Sequence, residues 1–244
     1  MKHLLAVALL SCLCVGKVWA KAPYNPTKVV SVELIVAGLE EKLEFLGTIL
    51  ANPAQFDEQQ EYVVRAGGVI ACLAQALNEH EERGTVKIAG PALRDAALEL
   101  QDQDDHAECL KLVQTMQSAL KGESSGEHAQ EHPWDELISM YDMMEEMNER
   151  NGGLSRSLRR PRGKIDEQLN ASTNAVLSIA MLADHSYLDD DSQTKQWDDW
   201  SMQCLESMNS LVQAIKAQDK DKVAEAYQSA NRACDQCHEQ HRAE

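Results

Sequence analysis

"LESMNSLVQAIKAQDKDKVAEAYQSANRACDQCHEQH" spans residues 205–241. Leu205, Met208, Leu211, Val212 and Ile215 recur at steps of three and four, the period of a single helix face. Asp219 and Asp221 then offer N-cap chemistry, so a second helix is expected to start there and run through residue 241. A connection this short makes the two helices antiparallel neighbours. The stretch is therefore one hairpin of a helical bundle.

The same pattern extends over the rest of the chain. Ala, Leu, Gln, Glu and Met recur throughout and runs of β-branched residues are scarce, which favours helix over strand. The polar segment "KGESSGEHAQEH" (121–132) lacks apolar periodicity and reads as a linker. Four helices are predicted before it, at about 28–50, 57–80, 85–102 and 105–120. Four more follow, at about 134–151, 165–186, 193–217 and 220–241. Val32, Val36, Leu39, Leu43 and Leu46 mark the apolar face of the first. Gly90-Pro91 should kink the third helix or delay its start.

The two halves look alike. "VIACLAQALNEH" (69–80) resembles "AVLSIAMLADH" (175–185), and "ALRDAALELQDQDDHA" (92–107) lines up without gaps on "MNSLVQAIKAQDKDKV" (208–223). An internal duplication follows. The expected fold is all-α, two tandem antiparallel four-helix bundles, over 24–121 and 133–244 with a linker at 122–132.

Lys2 and His3 precede an apolar run from Leu4 to Val15, and Val18-Trp19-Ala20 places small residues before a cleavage point. Residues 1–20 thus read as a secretory signal peptide cut after Ala20. Leu9-Leu10-Ser11-Cys12 is only a weak lipoprotein box. The expected location is the bacterial periplasm. A net charge of −17 argues against nucleic-acid binding and favours a basic partner, if any.

Export changes the meaning of the cysteines. Cys72, Cys109, Cys204, Cys234 and Cys237 remain after cleavage, an odd number at spacings unlike a disulfide framework. Cys72, Cys109 and Cys204 sit in apolar helical patterns and read as small buried hydrophobes. Cys234-Asp235-Gln236-Cys237-His238 is different. On a helix its two thiols and its imidazole share one face, as covalent attachment of haem c requires: two thioethers on the porphyrin edge and His238 as proximal iron ligand. The rival readings are a zinc site, which finds no fourth ligand, and a thioredoxin-like pair, which would follow a strand. A plain Cys234–Cys237 disulfide is the third.

A secreted four-helix bundle with C-x-x-C-H in its last helix resembles the cytochrome c prime family and its low-spin relatives. The resemblance rests on residues 134–242 through the motif, and over 24–121 on helix pattern only. In that family two residues, an aromatic and a basic residue follow the motif. Here Arg242 matches and His241 replaces the usual tyrosine. With Asp105 aligned on Asp221, residues 118–122 stand opposite the motif and hold neither cysteine nor histidine. One haem per chain is expected.

The resemblance also implies a distal position on the first helix of the bundle, filled by methionine in low-spin relatives. "WDELISMYDMMEEMNERN" (134–151) carries Met140, Met143, Met144 and Met147. Matching Asn52-Pro53 to Arg160-Pro161 puts Met144 opposite Val36, near that position; Met140 and Met147 are the fallbacks. A methionine ligand implies single-electron transfer with a redox partner protein, membrane-associated or not. A vacant sixth position implies binding or sensing of NO or CO. No nucleophile–base or acid pair points to an enzyme. Family members form homodimers, and two halves in one chain invite an intrachain pseudo-dimer instead. Residues 150–164, "RNGGLSRSLRRPRGK", read as a basic loop facing a partner or solvent. Trp134, Trp197 and Trp200 are expected in or beside the core, and His80 and His185 in structural roles.

Overall fold

Ser31 and Ser139 begin the two halves in the same way. Each side chain accepts a hydrogen bond from the backbone N–H three residues on, Leu34 and Asp142 respectively, and so caps a helix start. The helices they open are α1 (Val32–Leu50) and α6 (Met140–Leu154). Between and beyond them lie α2 (Pro53–Glu58), α3 (Gln60–Glu79), α4 (Gly90–Gln101), α5 (His106–Leu120), α7 (Ile165–Ala183), α8 (Thr194–Lys216) and α9 (Lys220–His241). The computed structural model describes residues 21–155 and 158–241, and no strand occurs among them. The predicted signal peptide, Arg156 and Arg242 lie outside the described residues. No helix among the described residues is long and apolar enough to cross a membrane.

Helix starts follow local chemistry. α4 begins at Gly90 rather than 85, because Pro91 fits the first turn, where its missing N–H costs nothing. Asp105 caps α5 by accepting from Glu108 N, and Asp219 accepts from Lys222 N at the start of α9. The equivalent caps are therefore Asp105 and Asp219, two residues from the sequence alignment. In that register residues 120–124 stand opposite the C-x-x-C-H motif, and α5 has already ended at Leu120. The first half lacks both the motif and the helical turn that would carry it. The expected helix at 57–80 is divided at Gln59, whose backbone leaves the helical region at φ −124°, ψ 24°.

In the first half α3 packs on α1 and α4, and α5 packs on α4 and α1, closing a ring of four antiparallel helices. In the second half α6 packs on α7, α7 on α8 and α8 on α9. The halves meet through α1 and α3 against α7, and α3 against α6. Consequently α3 and α7 are buried on nearly every side, and one hydrophobic core runs through both halves. This explains why "VIACLAQALNEH" and "AVLSIAMLADH" are so apolar: helices hydrophobic all round belong in the middle. Gly68 permits a close approach between the halves. A Cβ there would lie 2.5 Å from Ile138 Cγ1 on the segment leading into α6.

Residues 121–132 are irregular and are strapped to the first half. Arg94 donates to Ala129 O at 2.8 Å and His128 Nδ1 meets Asp95 at 2.8 Å. Trp134, fully buried, donates from Nε1 to Glu79 at 3.0 Å. Trp197 and Trp200 are buried too.

The basic reading of residues 150–164 needs correction at its first member. Arg150 is buried and donates to Glu146 at 2.6 Å and to Glu41 at 2.9 Å, while Lys42 meets Glu146 at 2.7 Å. These four charges cross-link α1 to α6 between the halves. Burial pushes the Glu146 carboxyl up, but Arg150 and Lys42 outweigh it and hold the group below its ordinary value. The two histidines also part ways. His80 is buried with Nε2 2.9 Å from Val30 O, whereas His185 is half-exposed beside Asp198 at 2.8 Å.

Candidate functional site

α9 carries the motif against α8. Two contacts set their register: Ser207 Oγ lies 2.9 Å from Ser229 Oγ, and the ring of His241 stands edge-on to Trp197 at 5.4 Å between centroids. Trp200 closes the other side of His241 at 5.9 Å. His241 thus fills a two-tryptophan cradle, with its Nε2 buried and without a hydrogen-bond partner among the described residues.

In this register Cys204 of α8 falls level with Cys234 of α9, and each thiol perturbs the titration of the other. Cys204 is fully buried and also within hydrogen-bonding reach of Ser178 on α7. Cys234 and Cys237 are half-buried against the core, and His238 is exposed. The neighbouring Cys204 and burial push the Cys234 thiol up. Burial, followed by the neighbouring Cys234, pushes Cys237 up to about 11.

The opposite wall is α6, which runs antiparallel to α9. They touch through Asn151 Nδ2, which donates to Asn231 Oδ1 at 2.7 Å. Beyond that bond the α6–α9 seam is sparsely packed compared with the α8–α9 seam. Met144 lies seven residues before Asn151 and His238 seven after Asn231. Seven residues are about 10 Å of helix rise, so the two fall at the same level across the seam. Steps of three and four from Asn151 lead to Met147, Met144 and Met140, the stripe that shares its α9-facing side. Met144 is half-buried, while Met140, Met143 and Met147 are buried.

The donor set fits a covalently held haem. Two thiols share a partly buried face, an accessible imidazole adjoins them, and a thioether lies at the imidazole's level on the facing helix. A haem iron takes four donors from its porphyrin and needs only one or two from the chain. Among the described residues no cluster of three or more His, Cys, Asp or Glu is arranged to hold a bare metal ion.

The corresponding α1–α5 seam of the first half forms an open groove of about 710 Å³, lined by Leu43, Gly47, Ala51 and Leu120. No side chain there supplies a thiol or an imidazole. Val36, the counterpart of Met144, is half-buried in the same way.

Sequence reading missed the Cys204–Cys234 contact. A signal existed, since the two residues are equidistant from Asp219 at the turn of the hairpin. No protein-family model matches this chain, and no curated protein or solved structure matches it.

Proposed function

We propose that this chain is an exported monohaem c-type cytochrome that transfers single electrons, its second half resembling the cytochrome c prime bundle. The observation that carries the reading is the placement of the C-x-x-C-H motif on the last helix, with Met144 level with His238 on the facing helix. Cys234 and Cys237 would hold haem c through two thioethers, His238 would bind one face of the iron and Met144 the other. When bound, the group supplies one-electron exchange at its iron.

The chain's own residues do the rest. Cys234 and Cys237 would fix the edge of the macrocycle to α9, with His238 next to them on the same helix. Met140 and Met147 supply polarisable apolar surface that excludes water from the α6 side. Trp197 and Trp200 do so from α8. An apolar surround and a methionine ligand both raise a reduction potential. The acidic surface suits a basic redox partner through charge steering.

Spectra test the reading. Acid–acetone extraction should leave the colour on the protein, and an alkaline pyridine spectrum should show two thioethers per haem. Complete loss of colour into the solvent would refute covalent attachment. The ferrous spectrum should not change with CO; a five-coordinate, CO-avid form would instead indicate gas binding. Met144→Ala should convert the first behaviour to the second, and a spectrum that ignores Met144→Ala moves the ligand to Met140 or Met147.

A further inference from the structure

Cys204 has no place in haem attachment, yet it is fully buried directly against the first cysteine of the motif. Its setting is built on both sides: Ser178 lies within hydrogen-bonding reach from α7, and the Ser207–Ser229 and Trp197–His241 contacts hold α8 and α9 in the register that aligns the thiols. Cys237 lies one turn further along α9, past the level of Cys204. Cys234 therefore has a second thiol level with it on the neighbouring helix, besides its partner within the motif.

We propose that Cys204 and Cys234 form a disulfide across the α8–α9 seam in the haem-free chain, a redox latch that withholds Cys234 from thioether formation. The cross-link itself is independent of any cofactor; its consequence for attachment rests on the haem reading. The oxidant is a small disulfide such as oxidised glutathione. The half-buried Cys234 reaches it first: its thiolate attacks, forming a mixed disulfide and releasing one glutathione thiol. Cys204, shielded from solvent, then attacks the Cys234 sulfur through its own thiolate and displaces the second glutathione. Two protein thiols lose two protons and two electrons, and one disulfide oxidant becomes two thiols. A thiol reductant reverses both steps and returns Cys234 to the motif. Cys237 stays a free thiol throughout, which separates this latch from a disulfide within the motif.

The test uses the full mature chain, produced without haem, reduced, then incubated folded with oxidised glutathione. Intact mass should fall by two hydrogen atoms. Non-reducing peptide mapping should join the Cys204 and Cys234 peptides, with Cys237 alkylated. Cys204→Ser, and Cys204→Ala should the buried hydroxyl impair folding, should abolish that linkage and leave glutathione on Cys234 or join it to Cys237. A wild-type map showing Cys234 joined to Cys237 with Cys204 free, or no mass loss while folded, overturns the proposal. Failure of the haem reading shows elsewhere, as colour lost to acid–acetone, and leaves the peptide map unaffected. If both hold, the oxidised wild-type chain should take up haem several-fold less than the reduced chain, and Cys204→Ala should be indifferent to the reductant.

Discussion

Glu146→Gln removes the carboxylate that forms ion pairs with both Lys42 and Arg150. Its two ion pairs measure 2.7 and 2.6 Å, and the Glu146 and Arg150 side chains are only 3% and 5% exposed. Taking one partner from a buried ion pair costs about 3–5 kcal/mol, because the remaining charge stays desolvated without compensation. Arg150 keeps Glu41, which is 42% exposed, so the lower end applies and about 3 kcal/mol is expected. For a chain of this size that is a fall in Tm of about 6–12 °C. The assay is thermal and urea unfolding followed by circular dichroism at helix wavelengths. The pH dependence adds a second check. Glu146 titrates below its ordinary 4.5 in the folded chain, so its contribution is complete above that value and is lost as pH falls through the folded one. The wild-type advantage should therefore shrink at acid pH. A double-mutant cycle with Lys42→Met should return a clear coupling. A loss under about 1 kcal/mol at neutral pH, or an advantage that does not shrink in acid, would refute the claim that these charges join the halves.

Gly68→Ala places a methyl group 2.5 Å from Ile138 and should destabilise by about 1–3 kcal/mol in urea unfolding; Gly152→Ala, with open space around it, should not. Ser31→Ala and Ser139→Ala each remove one helix cap and should each cost about 1 kcal/mol in the same assay, Ser139→Ala the more because its capping bond is shorter, 3.1 against 3.4 Å, and its hydroxyl also donates to Asp142. Cys237→Ser should leave a single thioether, read as a shifted pyridine spectrum with the colour still bound through Cys234.

Much of the helix inventory was legible because its causes are local. A serine or aspartate cap, a proline in the first turn and an apolar step of three or four act within a few residues. The motif was legible for the same reason: its residues need only one helix to share a face. Gln59 was missed because nothing in its side chain marks the break, which lies in its backbone angles alone.

What the sequence by itself determined is a set of capped helices, their apolar faces and a pair of cysteines and a histidine that share one face of α9. Only the tertiary structure decided which faces meet. Periodicity says that a face is buried but not against what, so Arg150 read as surface charge until Glu41, 109 residues away in sequence, and Glu146 enclosed it. Cys204 read as one more small hydrophobe until the turn at residues 217–219 folded α9 back and set Cys234 against it. The core shared by α3 and α7 is of the same kind. Burial energy grows with the apolar area removed from water and is indifferent to sequence distance, so contacts across the chain appear only once the helices are packed.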